Sequence, residues 1–256
     1  MRTTRWCVAV LTVIGTVLLT ASSALASTGP VQYSKDISGY QATGRWFRYV
    51  STTFTLPTNS QCQRMATISP AGFGAAVTLG PAEESNLGVA LSAGPASTLG
   101  VSMVPSATGC GLISPSFASN LPGYSGAQQF PAGAITLSPA NAVRIELYYR
   151  QADQLTIATI DNLTTGKQAQ ASLQDPAVYM VASATGGFGT VTAPPGSFRV
   201  WGFTNSAATT YTGTRGTMTG PWTTSPIVLT ATGTQGRALV SPFLWGGGAG
   251  FGVWAR

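Results

Sequence analysis

The sequence predicts an all-β protein, an antiparallel β-sandwich. Short runs rich in Val, Ile, Thr, Phe, Tyr and Trp recur between clusters of Gly, Pro, Ser and Asn, a pattern typical of sandwiches and barrels. Helical periodicity is absent almost everywhere along the chain. The length that follows residue 26 is ordinary for one all-β domain and can bury a substantial core. We therefore expect a signal peptide over residues 1–26 and a single sandwich domain over residues 27–256.

The N-terminal segment predicts export. Arg2 and Arg5 precede an apolar run over residues 6–19, and residues 24–26 read Ala-Leu-Ala, which is a small-x-small cleavage signal. No later window offers about 18 uninterrupted apolar residues. The expected product is a secreted, monomeric protein without membrane association after signal cleavage, and a retained anchor is the alternative.

The clearest elements are three consecutive strands over residues 142–173. Val143, Ile145, Leu147 and Tyr149 alternate with Arg144, Glu146 and Tyr148, so one face should enter the core and the other should meet solvent. Turn residues at 151–154 separate the first strand from the second, and those at 161–166 separate the second from the third. Other β-rich runs predict further strands, at residues 46–56, 77–79, 87–91, 99–104, 178–182, 198–204, 227–231 and 251–254. The Gly- and Pro-rich stretches 121–133 and 186–196 are expected to be loops.

Cysteine usage predicts one disulfide. Cys7 lies inside the signal, so Cys62 and Cys110 are the only thiols expected in the mature chain. An oxidising compartment allows them a single pairing, and two unpaired buried thiols are the alternative. The chain has no histidine, so a metal site has little support and no cofactor is expected.

Charge is sparse and weakly basic. Removing Arg2 and Arg5 from the 13 Lys and Arg leaves 11 against 7 Asp and Glu, a formal charge of about +4. The arginines are scattered singly, with no run of the kind that follows a phosphate backbone. This pattern argues against a nucleic-acid partner.

Several short motifs occur in an order that resembles the glutamic peptidases, or eqolisins. Residues 38–42 (SGYQA) and 51–57 (STTFTLP) are similar to the opening of that family. Residues 135–138 and 162–167 resemble its central hairpin, residues 198–206 the strand after its catalytic segment, and residues 251–254 its closing strand. The resemblance covers about residues 38–256. It implies a jelly roll of the concanavalin A-like, eqolisin type.

The same resemblance implies that the catalytic pair is replaced. The family uses a glutamate as general base on water and a glutamine amide that orients this water and stabilises the oxyanion. Val178 stands at the glutamate position and Asn86 best matches the glutamine. A positioned base contributes about 10² to 10⁴ in rate, and an oxyanion donor about 10² or more. We therefore expect no catalytic residues and a degenerate peptidase-like protein.

A binding module is the function that this sequence favours. The expected ligand is a glycan or an extended peptide in a concave groove, and the residues expected to line it are Trp46, Asn86, Val178 and Tyr179. A divergent acid-acting endopeptidase is the alternative, and it requires a substitute carboxylate such as Glu146 or Asp175. Asn162-Leu163-Thr164 matches a glycosylation sequon, but we expect these residues to form a turn.

Overall fold

A computed structural model describes residues 27–80, 96–119, 126–128, 130–131, 133–174, 179–189, 191 and 201–255. Seventeen strands, one α-helix and one short 3-10 helix lie within these ranges. The strands are β1 (Ser27–Thr28), β2 (Gln32–Ser34), β3 (Ile37–Thr43), β4 (Phe47–Thr55), β5 (Phe73–Gly80), β6 (Ser97–Ser106), β7 (Gly109–Ser119), β8 (Gly126–Gln128), β9 (Ala142–Arg150), β10 (Leu155–Asn162), β11 (Lys167–Gln174), β12 (Val181–Phe188), β13 (Trp201–Thr210), β14 (Arg215–Thr217), β15 (Thr223–Thr230), β16 (Ala238–Trp245) and β17 (Gly250–Ala255). The α-helix is α1 (Asn59–Ile68), and the 3-10 turn is Gly246–Gly248.

The predicted all-β, antiparallel fold is confirmed. Two sheets form a nearly closed sandwich. The first sheet has the strand order β11-β10-β9-β4-β13-β17-β16. The second sheet has the order β8-β7-β6-β5-β12-β3-β15. Pairing between β15 and β16 joins the two sheets along one side.

Alternation along the strands places the core between the sheets. In β9, Val143, Ile145, Leu147 and Tyr149 are buried, as the sequence pattern predicts. β9 pairs with β10, and β10 pairs with β11, both antiparallel, as strands joined by short turns should.

Aromatic rings connect the two inner faces. Tyr40 of the second sheet meets Phe251 of the first at 5.5 Å between ring centroids, edge to face. Phe73 and Trp201 make a similar contact between the sheets at 5.8 Å. Within the first sheet, Phe203 stacks on Phe251 at 4.5 Å. Offset and edge-to-face pairs of this kind add to the free energy gained by burial.

The disulfide expected from the sequence is present. Cys62 of α1 is bonded to Cys110 of β7, with 5.0 Å between their Cα atoms. Helix α1 itself was not predicted. It begins with a capping box, in which the Thr58 side chain accepts from the backbone N–H of Gln61 while the Gln61 side chain accepts from that of Thr58.

The structure corrects several predicted boundaries. Residues 186–188 belong to β12 and residues 126–128 to β8, where loops were expected. The strand expected at 178–182 begins at Val181, and the strand expected at 87–91 lies outside the described residues. Six further strands were not predicted: β1, β2, β3, β7, β14 and β16. The described residues contain no helix with the length and apolar character needed to span a membrane.

Candidate functional site

A row of neutral polar side chains crosses the outer face of the second sheet, the face turned away from the core. Cross-strand pairing places Thr98 opposite Thr78, Thr78 opposite Ser183, Ser183 opposite Gln41, and Gln41 opposite Ser225. Directly opposite residues of an antiparallel pair share one face. We call these five residues the polar ladder.

Most of the polar ladder is buried. Ser183 has no exposed surface and Gln41 is 6% exposed. The Thr78 and Thr98 hydroxyls are hydrogen-bonded at 3.0 Å, whereas Ser183 Oγ has no hydrogen-bond partner among the described residues. An unpaired buried hydroxyl is unusual, because its lost hydration is not compensated. The polar ladder can donate and accept hydrogen bonds, but none of its groups is a general base at neutral or acidic pH.

A second site is an open cleft beside Trp46, with a volume of about 540 Å³. Its walls are the β3–β4 connection and the turn that links β13 to β14. The described lining residues are Gly44, Arg45, Trp46, Thr210, Tyr211, Thr212, Thr214 and Pro221. We call this site the Trp46 cleft.

Backbone geometry fixes both walls of the Trp46 cleft. Gly44 has φ +83°, a conformation that favours glycine and turns the chain so that Trp46 projects outward. Trp46 is 59% exposed, while its carbonyl accepts a hydrogen bond from Tyr211 N at 2.9 Å. The opposite turn is closed by Thr210 Oγ1, which contacts Thr212 Oγ1 at 2.9 Å and accepts from Thr214 N at 3.1 Å. The cleft therefore combines an exposed flat ring with a preformed turn of hydroxyl-bearing residues.

This chain is similar to known proteins in structure but not detectably in sequence. No protein-family profile and no curated protein sequence matches the chain. Scytalido-glutamic peptidase with a peptide-based transition state analog superposes with a TM-score of 0.58, covering 87% of this chain and 98% of that chain at 14% identity. A second structure of scytalido-glutamic peptidase, with a transition state analog inhibitor, gives a TM-score of 0.59 at 13% identity over the same shares. The chain has a glutamic-peptidase-like fold.

A weaker similarity links this glutamic-peptidase-like sandwich to a lectin. Basic winged bean lectin with Tn-antigen superposes at a TM-score of 0.34 and 11% identity, covering 63% of this chain and 66% of that chain. That level of overlap carries no inference about a ligand.

Two of the four predicted groove residues can be located. Asn86 and Val178 lie outside the described residues. Trp46 is exposed in the cleft described above. Tyr179 does not line a groove, because its side chain is fully buried.

Tyr179 instead lies in the core and links the two sheets. Its hydroxyl is hydrogen-bonded to Ser97 Oγ of the second sheet and to Thr156 Oγ1 of the first, each at 3.0 Å. Its ring meets Tyr149 edge to face at 5.7 Å. Alternation explains the burial, since the next residue, Met180, is exposed and neighbouring residues of an extended segment point to opposite sides.

The described carboxylates lie away from the polar ladder. Glu146, on the outer face of the first sheet, accepts a hydrogen bond from Tyr49 Oη at 2.8 Å and pairs with Arg144 Nε at 3.1 Å. Arg144 also pairs with Asp161 at 2.7 Å. Burial raises the pKa of the Tyr49 hydroxyl, which keeps it protonated as the donor. Glu146 is thus an ion-pair residue beside Arg144.

The other acids offer no substitute base within the part of the chain that is described. Asp153 is bonded to Arg150, and this contact lowers the pKa of its carboxyl. Asp36 lies in the turn between β2 and β3, whereas Glu83, Glu84 and Asp175 lie outside the described residues. No group of three His, Cys, Asp or Glu side chains in the described ranges could hold a metal ion.

Sequence reasoning missed the second wall of the Trp46 cleft. Residues 210–214 read Thr-Tyr-Thr-Gly-Thr, and Gly213 has φ +89°. A glycine among small polar residues after a β-rich run predicts a tight turn. Its position opposite Trp46 depends on β13–β4 pairing, which the local sequence does not specify.

Proposed function

We propose that this chain is a secreted, non-catalytic β-sandwich module that binds a glycan in the Trp46 cleft. The observation that carries the proposal is the exposed indole of Trp46 opposite a fixed turn of hydroxyl-bearing residues. A flat aromatic ring offers an apolar platform to a sugar ring, while hydroxyls and backbone groups meet its polar edge. Export through a signal peptide over residues 1–26 is part of this proposal.

The shape of the cleft favours a glycan over an extended peptide. Peptides that bind as an added strand require a free strand edge with unpaired backbone groups. The Trp46 cleft is bounded by two connections instead, and the Thr210 N–H already donates to Thr214 O at 2.9 Å. A ligand in the cleft would therefore be bound mainly by the lining side chains and not by free backbone groups.

The absence of a carboxylate from the polar ladder supports the non-catalytic part of the proposal. General-base catalysis on water requires a proton acceptor within hydrogen-bond reach of the attacking water. The amide of Gln41 and the hydroxyls of the ladder cannot fill this role. The described acids that pair with arginine are held on the first sheet or in a turn.

Two measurements on the purified protein test the proposal. In the first, migration through gels that contain soluble polysaccharides is compared for the wild type, Trp46→Phe, Trp46→Ala and Phe243→Ala. We expect retardation of the wild type and Trp46→Phe and its loss in Trp46→Ala. Phe243 is also an exposed aromatic residue, but it lies outside the cleft, so Phe243→Ala should behave as wild type.

The second measurement is cleavage of a denatured protein substrate from pH 2 to 7. We expect no cleavage by the wild type. Cleavage by the unmodified protein would refute the non-catalytic assignment and favour a divergent acid-acting endopeptidase. An Asn86→Gln, Val178→Glu double variant tests the inferred family positions, because activity in this variant alone would support both the alignment and the loss of function.

A further inference from the structure

We propose that the glycan bound in the Trp46 cleft is anionic, and that Arg45 binds its carboxylates. This inference rests on the proposed function and adds the chemical class of the ligand. It follows from the charges around the cleft, the partners these charges lack, and the nature of the remaining lining residues.

The cleft carries a cation without a counter-charge. Arg45 lines it beside Trp46 and is exposed. None of the described lining residues is acidic, and Arg45 has no ion-pair partner among the described residues. A guanidinium binds a carboxylate through two parallel hydrogen bonds. Arg45 is therefore available to a ligand carboxylate that enters the cleft.

A second guanidinium stands behind the opposite wall. Pairing between β4 and β13 shifts register between Thr209 and Thr210, and Arg48 is the extra residue of β4 at this bulge. Its Nη2 atom is 3.9 Å from the position that a Cβ on Gly213 would occupy. Arg48 likewise has no carboxylate partner within the described ranges. Both sides of the cleft thus add positive potential, which attracts an anion.

Two other arginines of this chain form ion pairs with carboxylates. Arg144 and Arg150 each contact a carboxylate at hydrogen-bond distance. The described acids that form ion pairs are thus taken by these two arginines, away from the cleft. Arg64, Arg215 and Arg237 have no ion-pair partner within the described ranges either, so what distinguishes Arg45 is its position beside Trp46 in the cleft.

The rest of the lining distinguishes a sugar from other anions. Threonine hydroxyls donate and accept hydrogen bonds, which matches the hydroxyl groups of a sugar ring stacked on Trp46. Single-stranded nucleic acid is bound along a continuous basic groove with several stacking rings, and the described cations of this chain are scattered. An acidic oligosaccharide, such as one built from uronic acids, satisfies both the ring and the guanidinium.

Isothermal titration of the full protein tests the inference with acidic oligosaccharides and neutral partners. The probes are trigalacturonate, an alginate-derived trimannuronate and the methyl ester of each, measured at 50 and 500 mM NaCl. We expect at least one acid to bind about tenfold more tightly than its ester, the effect of one charge-assisted hydrogen bond. This preference should weaken at high salt, because exposed charges are screened.

Variants assign the effect to the cleft. Arg45→Gln should weaken binding of the acid about tenfold and binding of the ester much less, since the charge-assisted part of the interaction is made only with a carboxylate. Trp46→Ala should weaken both ligands, because the ring contacts the sugar whatever its charge. Arg64→Gln is the matched control, since Arg64 is an exposed arginine of α1 outside the cleft. The Arg64→Gln variant should bind both the acid and the ester as tightly as the wild type does.

The outcomes separate this inference from the proposed function. Equal binding of acids and esters, lost in Trp46→Ala, would overturn the anionic preference and leave glycan binding intact. No binding of any oligosaccharide would overturn both. A decathymidylate and a glutamate-rich peptide are titrated in the same way. If either bound more tightly than every oligosaccharide, and lost this binding in Arg45→Gln, the cleft would be assigned to that class of ligand and the inference would be overturned.

Discussion

Replacing Ser183 by alanine should make this protein more stable. Ser183 lies in the middle of β12, is fully buried, and its Oγ has no hydrogen-bond partner among the described residues. A buried hydroxyl without a partner loses its hydration and gains nothing in return, at a cost of about 1–3 kcal/mol. Alanine keeps the Cβ and removes only the oxygen, so little packing is lost. We expect the free energy of unfolding to rise by about 1 kcal/mol.

A neighbouring serine provides the matched comparison. Ser38 of β3 is equally buried, but its Oγ donates to the Ile227 carbonyl at 3.0 Å. Ser38→Ala should lower the free energy of unfolding by about 1 kcal/mol, because it breaks this bond. The two variants should therefore differ by about 2 kcal/mol.

Urea unfolding at pH 7, monitored by tryptophan fluorescence, measures both variants. A change of 1 kcal/mol corresponds to about 2–4 °C in Tm for a chain of this size, which gives an independent check. If Ser183→Ala were destabilised as much as Ser38→Ala, Ser183 Oγ would have to make a hydrogen bond in the native protein. That result would refute the reasoning.

Three further predictions concern stability and modification. Burial raises the pKa of Tyr40 to about 12 from its ordinary 10.0, so its contribution to stability is fully present below pH 10 and is lost as pH rises through about 12. The stability of Tyr40→Phe, measured by urea unfolding from pH 9 to 12, should fall less steeply. Cys62→Ala with Cys110→Ala removes a bridge with a sequence separation of 48 and should lower the free energy of unfolding by about 4 kcal/mol; an unchanged urea midpoint would contradict this. Asn162 is 1% exposed and its Nδ2 donates to Thr136 O and Asn141 Oδ1, so mass spectrometry of protein secreted from a glycosylating host should find it unmodified.

Sequence periodicity predicted the strands whose faces differ in polarity. Val143 to Tyr149 alternate so regularly that β9 and its pairing with β10 follow directly. Helix α1 is mostly polar, and its buried residues are Cys62, Met65 and Ile68. That three-residue spacing is a helical signal, but three positions in a short segment are weak evidence beside strong β propensity on either side.

Glycine content explains the error in β12. Residues 186–188 read Gly-Gly-Phe, a composition typical of a loop. In the structure, glycines of the two strands that pair with β12 mark close approaches between backbones: a Cβ on Gly39 would overlap Ala184 O, and one on Gly74 would lie 2.6 Å from Val101 O. In β12 itself the approach is looser, because a Cβ on Gly187 would lie 3.8 Å from Gly74 O. Glycine in a strand can thus mark a place where another backbone comes near. Local composition alone does not distinguish that role from a turn.

The candidate site residues also differ in how far local sequence could predict their positions. The direction of Tyr179 depends on the phase of one extended segment, and a single-residue shift exchanges core and surface. Trp46 was expected at the start of a strand over residues 46–56, whereas in the structure it lies in the connection before β4, and connections lie at the surface. Its opposite wall comes from β13 and β14, more than 160 residues later in the chain. No local pattern could have brought these residues together.

Alternation also explains how such a sandwich can keep its architecture while its outer face changes. In β12, Ala182 and Ala184 face the core, whereas Ser183 and Thr185 occupy the alternate positions on the outer face. Core-facing residues set the packing between the sheets, and outer-face residues contribute little to it. Substitutions on the outer face can therefore add or remove a base, an amide or a binding residue without repacking the core. A shared fold at 14% identity is consistent with this separation, and it is the reason that function must be argued from the Trp46 cleft and the polar ladder themselves.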